Sequence, residues 1–225
     1  DILKYEFITI VTHKFRTPLT RIKWAAESLL GSGALIEKPK LDVENIKDAA
    51  FRLSELTNAL MGLTDSETRF SYKLKRLDLA NLVRDIITGL EKRVSERRVT
   101  IEMRLVEQCF AMADAERLRP AMSIILENAI IYTPAGGTVT VTLEKAGNKA
   151  RLGVADTGIG IDKRDLPRMF TKFFRSDEAK KTDTEGLGIG LYVAREIIRR
   201  HGGSITASSE GLGKGALFTV ELPAA

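Results

Sequence analysis

The sequence predicts an α+β protein in which a two-helix hairpin precedes a two-layer α/β sandwich. Residues 1–70 carry two apolar stripes at helical spacing, with glycine and proline between them. From residue 77 to residue 225, helical stretches and alternating strands occur in separate runs, which is typical of helices layered on an antiparallel sheet. Residues 71–76 are polar and basic, and we assign them to a linker between the two domains.

The hairpin is defined by stripes along residues 3–29 and 43–63, where apolar side chains recur every three or four positions. Gly31-Ser-Gly33 and Pro39 interrupt the helix between them. Two helices cannot enclose stripes of this width by themselves. We therefore predict a homodimer in which two hairpins form a four-helix bundle.

The second domain opens with a helix from Leu79 to about Arg97, which Asp78 caps. Alternating apolar residues and turn signals define the remaining elements. These are strands at 99–106 and 109–113, a helix at 115–132, a hairpin of strands 139–144 and 150–156 turning at Gly147-Asn148, a helix at 189–201, and strands at 204–208 and 216–222.

The composition is that of a soluble globular chain, with 44% hydrophobic and 29% charged residues. No apolar run approaches the roughly 18 residues of a membrane helix. We expect a cytoplasmic fragment, with any sensor or membrane anchor upstream of it. The single cysteine, Cys109, excludes an internal disulfide and is expected to be a buried apolar residue. A net charge of +5 suits an anionic ligand, an acidic protein or nucleic acid equally well.

His13 lies about 190° from the apolar stripe of the first helix at 100° per residue, so it is predicted to face solvent. A neutral imidazole is nucleophilic near pH 7, which suits a phosphate acceptor. Pro18 cannot donate to the carbonyl of Lys14, and we expect it to weaken the helix one turn after His13.

Four further motifs follow in order along the second domain. They are Asn128 near a helix end, Asp156-Thr-Gly-Ile-Gly160 after a strand, Phe170-Thr-Lys-Phe-Phe-Arg175, and Gly186-Leu-Gly-Ile-Gly-Leu191 at the start of a helix. Glycines permit close approach of the backbone to a ligand, and a helix N-terminus favours phosphate. The last motif lacks the Lys-Ser/Thr ending of a P-loop, and the set does not fit a dinucleotide-binding fingerprint.

Together with His13 in His-Lys-Phe-Arg-Thr-Pro-Leu, this ordered set resembles the core of bacterial sensor histidine kinases over nearly the whole chain. The resemblance implies a homodimer with a Bergerat-type ATP-binding domain that uses ATP and Mg²⁺. Such a kinase phosphorylates His13 and passes the phosphoryl group to an aspartate of a response regulator. Thr17 is similar to the residue that positions water for dephosphorylation of the regulator.

The same resemblance implies roles in the nucleotide site. Asn128 corresponds to the Mg²⁺ ligand, Asp156 to the acceptor of the adenine amino proton, and Arg175 to a clamp on the γ-phosphate. The stretch 176–185 is similar to a mobile lid over ATP. The full set expected to bind ATP is Asn128, Tyr132, Asp156, Gly158, Gly160, Arg175, Gly186, Leu187, Gly188 and Gly190.

Three positions depart from the family pattern. Lys14 replaces the usual acidic residue after the histidine, Ile124 replaces a second asparagine, and Ile131 replaces a lysine that contacts phosphate. These changes favour an alternative, a nucleotide-binding scaffold or phosphatase-dominant sensor with weak kinase activity.

Another alternative is a chaperone, topoisomerase or mismatch-repair type of ATPase acting on DNA. The helix bearing His13 argues against it, and we expect no nucleic acid partner. Two histidines and one cysteine are too few for zinc, haem or nucleophilic cysteine sites. The second histidine, His201, precedes Gly202-Gly203 and is predicted to be a structural helix end.

Overall fold

The computed structural model describes residues 15, 19–20, 22–27, 29, 43, 46, 50, 72–184, 186 and 188–225. The chain divides into two compact units, residues 1–69 and 70–225. No helix in the described ranges is long and apolar enough to cross a membrane.

Every described residue of the first unit is helical. Ala25 is buried, whereas Leu19 is 53% exposed and Val43 is 55% exposed. Both exposed residues belong to the predicted apolar stripes. Part of each stripe is therefore uncovered within one chain.

The second unit alternates helices and strands between residues 75 and 223. Its elements are β1 (Lys75–Asp78), α1 (Leu79–Arg97), β2 (Thr100–Leu105), β3 (Phe110–Ala113), α2 (Ala115–Tyr132), β4 (Thr138–Ala146), β5 (Lys149–Asp156), a 3-10 turn (Leu166–Arg168), α3 (Asp177–Thr182), α4 (Gly190–Arg200), β6 (Ser204–Ser208) and β7 (Ala216–Pro223).

The main sheet has the strand order β2-β4-β5-β7-β6, and helices pack on one face of it. The predicted α+β two-layer sandwich is confirmed. Helix α3 and the 3-10 turn lie in a segment for which no helix was predicted. Two details of the strand arrangement were also not expected. Lys75 and Arg76, assigned to the linker, belong to β1, which pairs with β3 in a separate antiparallel ribbon. Strand β2 runs parallel to β4, whereas only antiparallel pairing was expected.

The core lies between this sheet and the helices, and α2 contacts both α1 and α4. Leu118, Ile125 and Leu126 of α2 are fully buried, as are Val139 and Val141 of β4. Burying an aliphatic side chain of this size contributes about 1.5–3 kcal/mol. The core thus fixes α2 against the sheet.

The ends of α2 are set by local chemistry. Asp114 caps the start, and its Oδ1 accepts from the N–H of Arg117 at 3.2 Å. At the other end, the Thr133 hydroxyl donates to the carbonyl of Ala129 at 2.6 Å, and Pro134 cannot continue the helix. The C-terminal turn of α2 lies next to the turn that follows β5, since the N–H of Ile159 donates to the carbonyl of Tyr132 at 3.1 Å.

Candidate functional site

Asp156 ends strand β5, and its carboxylate is bound by two backbone donors. Its Oδ1 accepts hydrogen bonds from the N–H of Gly158 at 2.8 Å and of Ala216 at 3.2 Å. Among the described residues, no group donates to Oδ2. Burial raises the pKa of this carboxyl, and the two N–H donors lower it in part. Asp156 therefore keeps one uncommitted acceptor oxygen in a half-buried position.

Two glycines let the turn after Asp156 pack against its neighbours. A Cβ on Gly158 would lie 2.4 Å from the carbonyl oxygen of Tyr132, and a Cβ on Gly160 would lie 2.1 Å from that of Gly211. Gly160 also has a φ of +70°, which residues with a side chain rarely adopt. Larger residues would push this turn away from α2 and from the loop between β6 and β7.

Ile124, Asn128 and Tyr132 share one face of α2, because residues four apart on a helix are neighbours. All three are half-buried. Burial raises the pKa of the Tyr132 hydroxyl, while Arg175 lowers it and Asp183 raises it. The predicted magnesium and adenine contacts, Asn128 and Tyr132, thus lie one helical turn apart.

Arg175 is bound to the segment predicted to be the lid. Its guanidinium donates to the carbonyls of Gly186 at 3.0 Å and Ala179 at 2.9 Å, and also to that of Asp183. The Asp183 carboxylate lies 3.5 Å from the same guanidinium. The side chain predicted to clamp phosphate is therefore hydrogen-bonded to the backbone of the lid and of the glycine motif that follows it.

The glycine motif, residues 186–191, connects the lid to the start of α4. Gly188 has a φ of +68°, and a Cβ there would lie 2.6 Å from the carbonyl oxygen of Phe174. At Gly190 a Cβ would meet the Ile124 side chain at 3.1 Å. Ile124, one of the three positions predicted to depart from the kinase pattern, thus packs against the first turn of α4. Leu187 lies outside the described residues.

The α4 N-terminus has no side-chain cap, since Ile189 occupies the cap position. Within the described ranges, the residue at the cap position therefore offers no side-chain acceptor to the first N–H groups. This end of the helix carries the positive end of the helix dipole. Both properties suit an anion such as phosphate.

His13 and Thr17, the predicted phosphate acceptor and its neighbour, lie outside the described residues. So does Lys14. Their roles remain predictions.

The loop at residues 209–215, between β6 and β7, was not predicted from the sequence. In this loop, the N–H of Gly213 donates to the carbonyl of Ile159 at 2.7 Å, and the N–H of Gly215 donates to that of Gly158 at 3.2 Å. Two backbone hydrogen bonds therefore hold the loop against the turn after Asp156. Three glycines in Gly211-Leu-Gly-Lys-Gly215 were the signal that could have revealed it.

His201 and Cys109 have the structural roles expected of them. His201 is buried at the end of α4, where its Nε2 accepts from the N–H of Asp114 at 3.1 Å and its Nδ1 lies 2.8 Å from the carbonyl oxygen of Ile197. Cys109 is fully buried, and burial raises the pKa of its thiol. Neither residue contributes to the candidate site.

Two family models match the chain. Residues 3–69 match the His Kinase A (phospho-acceptor) domain. Residues 113–225 match the histidine kinase-, DNA gyrase B- and HSP90-like ATPase. The two matches cover the segments that carry His13 and the nucleotide motifs.

Similar proteins include the circadian input-output histidine kinase CikA of Synechococcus elongatus, 30% identical over 98% of this chain and 30% of that protein. The sensor histidine kinase YkoH of Bacillus subtilis is 31% identical over 96% of this chain and 47% of that protein. This chain therefore spans less than half the length of either relative.

Solved structures agree with the fold. ShkA, a full-length protein in complex with AMPPNP, matches 98% of this chain and 46% of its own with a TM-score of 0.71 and 26% identity. The histidine kinase ThkA, solved with the response regulator TrrA, matches 98% of this chain and 61% of its own with a TM-score of 0.66 and 22% identity.

Proposed function

This chain belongs to the sensor histidine kinase family, and from that premise we propose that it phosphorylates His13 with ATP and passes the phosphoryl group to an aspartate of a response regulator. The observation that carries the proposal is the state of Asp156. One carboxylate oxygen is fixed by two backbone donors, and the other has no donor in the described part of the chain. A half-buried acceptor beside a glycine turn suits the amino group of adenine.

We assign adenine recognition to Oδ2 of Asp156. An exocyclic amino group donates, so it pairs with a carboxylate oxygen that still has room to accept. Gly158 and Gly160 support this assignment, because the turn that positions Asp156 can pack against the backbone of Tyr132 and Gly211 only where no Cβ is present.

We assign the phosphate end to Asn128 and the start of α4. An amide oxygen is a suitable ligand for Mg²⁺, which otherwise keeps water and phosphate oxygens. Bound there, the ion would supply charge neutralisation of the phosphates. The N–H groups at the start of α4 would bind the remaining phosphate oxygens. For Arg175 to contact the γ-phosphate, it must exchange lid carbonyls for phosphate oxygens.

His13 is the proposed nucleophile. One nitrogen of the neutral imidazole attacks the γ-phosphorus, the bond from phosphorus to the bridging oxygen breaks, and ADP leaves with the electron pair. The imidazolium formed then loses its proton to solvent. Lys14 cannot accept the His13 proton while it is charged, so the next position offers no general base. Thr17 is proposed to position water when the regulator is dephosphorylated.

The proposal is tested by incubating the chain with γ-labelled ATP and Mg²⁺. We expect a label that is labile in acid and stable in base, as a phosphorylated imidazole is. His13→Gln should abolish this label while the second unit still binds ATP. Label that persists in His13→Gln would place the acceptor at another residue.

The weak-kinase alternative is supported by Ile124, which packs against Gly190 where a polar side chain is usual. Lys14→Glu and Ile124→Asn separate the two possibilities. If Lys14 limits the rate, Lys14→Glu should raise autophosphorylation, because a general base contributes roughly 10²–10⁴-fold where it operates fully. We expect a smaller gain, since Ile124 leaves the Mg²⁺ end incomplete. If only Ile124→Asn restores the rate, the defect lies in the nucleotide site and the scaffold alternative is favoured.

The partners we propose are a second copy of the chain and a response regulator, with no nucleic acid. The match of residues 3–69 to a phospho-acceptor domain supports a kinase rather than a DNA-acting ATPase. The net charge of +5 then serves the polyphosphate and an acidic partner protein.

A further inference from the structure

The hydroxyl of Ser209 lies at a junction that the nucleotide motifs do not include. Its Oγ accepts from the N–H of Ile161 at 3.0 Å and from that of Gly211 at 3.2 Å. It lies 2.6 Å from the carbonyl oxygen of Gly215, to which it donates its proton. One side chain thus joins the strand exit after Asp156 to the loop between β6 and β7.

The two ends of this junction flank the atoms that orient Asp156. Ile161 follows the Asp156 turn directly, and Gly215 directly precedes Ala216, whose N–H donates to Oδ1 of Asp156. Gly215 has a φ of +70°, and a Cβ there would lie 1.9 Å from the carbonyl oxygen of Asp156. A small shift of Gly215 would therefore move the donor on Ala216.

Backbone hydrogen bonds also join the loop to the turn after Asp156. Gly213 and Gly215 donate backbone hydrogen bonds into the turn, but neither bond fixes the distance between the two ends of the loop. Ser209, at the start of the loop, fixes this distance because its hydroxyl donates to the carbonyl of Gly215 at the end of the loop. The same hydroxyl accepts from the N–H of Ile161. Without it, the N–H of Ile161 would lose its acceptor among the described residues.

We infer that Ser209 is a positioning residue for adenine recognition, and that it acts by holding Ala216 so that Oδ1 of Asp156 stays bound and Oδ2 faces the base. This inference rests on the proposed function, in which Asp156 reads adenine. It extends that proposal to a specificity-determining residue outside the Asp156 turn.

The test measures the affinities of non-hydrolysable ATP and GTP analogues by calorimetry on the full chain. Ser209→Ala should weaken ATP-analogue binding about three- to tenfold, the usual effect of losing one hydrogen bond in a network. Binding of the GTP analogue should change less, because guanine has a carbonyl oxygen at the position where adenine has the amino group proposed to donate to Asp156. Ser208→Ala is the matched control, since Ser208 is the exposed neighbouring serine and no change is expected.

Equal losses for both analogues would overturn the inference, because they would indicate general damage to the loop. Thermal unfolding without nucleotide detects such damage. If Ser209→Ala unfolds early, Ser209→Cys replaces the hydroxyl by a larger thiol that is a weaker donor and should give an intermediate loss of the ATP preference.

A double-mutant cycle with Asp156→Asn separates this inference from the proposed function. If Ser209 acts through Asp156, Ser209→Ala should have no further effect on the ATP preference in the Asp156→Asn background. Additive effects would overturn the inference. If Asp156→Asn alone leaves ATP binding unchanged, the proposed adenine contact fails instead.

Discussion

At the scale of a single residue, the two oxygens of Asp156 lead to a specific prediction. In Asp156→Asn, the amide oxygen must occupy the Oδ1 position, since the N–H groups of Gly158 and Ala216 require an acceptor there. The NH₂ group then replaces Oδ2 and opposes the adenine amino group, donor against donor. A mispaired buried polar group costs about 1–3 kcal/mol, so ATP affinity should fall about tenfold or more.

Calorimetry with ATP and Mg²⁺ measures this loss. Asp162→Asn is the control, because Asp162 is an aspartate shortly after the same turn whose carboxylate binds Arg164 instead. The control should bind ATP normally. Equal ATP affinity in Asp156→Asn and the unaltered chain would remove adenine recognition from Asp156.

The sequence could identify Asp156 and its glycines, because motif residues carry their chemistry in their own type and order. It could not identify Ser209 or the second donor on Ala216, because Ser209 contacts Ile161 and Ala216 contacts Asp156 across 48 and 60 residues of sequence. The contacts of Arg175 with lid carbonyls were hidden for a related reason. Nearly all residue types carry the same backbone carbonyl, so the residue types in a sequence do not show which carbonyls a side chain will contact.

At the scale of an element, Asp114 controls how α2 begins. Its Oδ1 accepts from Arg117, and its Oδ2 accepts from the N–H of Lys73 at 3.0 Å, so it ties α2 to the strand entry at β1. Asp114→Ala should destabilise the second unit by about 0.5–2 kcal/mol, the range for a lost N-cap. Asp85→Ala is the control, because Asp85 is an exposed helical aspartate in a surface ion pair and should change stability little.

This effect should depend on pH. Burial alone would raise the pKa of Asp114, but the N–H donors of Lys73, Arg117 and Glu116 outweigh it and the pKa is lowered. A carboxyl with a lowered pKa in the folded state stabilises that state above its ordinary pKa, and the contribution is lost as pH falls through the lowered value. Denaturant unfolding of Asp114→Ala should therefore show its full loss near pH 7 and a smaller one below about pH 4. An equal loss at both pH values would contradict the assignment to the carboxylate.

Elements with strong local signals were predicted well, and those defined by distant partners were not. Helix α2 was predicted at its observed bounds, because Asp114 and Pro134 mark both ends. Strand β1 was assigned in part to a linker, since Lys75-Arg-Leu-Asp78 lacks apolar alternation and becomes a strand only by pairing with β3. The parallel pairing of β2 with β4 was also missed, because alternation does not encode strand direction.

At the scale of the whole molecule, the two-layer sandwich followed from apolar periodicity, since helices and strands must bury their apolar faces against each other. The same physical rule applies to the first unit. Its stripes include Leu19 and Val43, which one chain leaves more than half exposed. Apolar residues in such stripes are normally covered, and the proposed cover is a second copy of the chain.

Light scattering should therefore report twice the mass of one chain. Association of the stripes contributes about 25 cal/mol for each Å² of apolar surface that leaves water. Leu19→Glu places a charge in the stripe and should shift the protein toward monomers, because burying an unpaired charge opposes association. Trp24→Glu is the matched control, since Trp24 is 66% exposed on the same helix but outside the stripe, and it should remain dimeric. A chain that stays monomeric at high micromolar concentration with full helicity would show that the hairpin buries its stripes without a second copy.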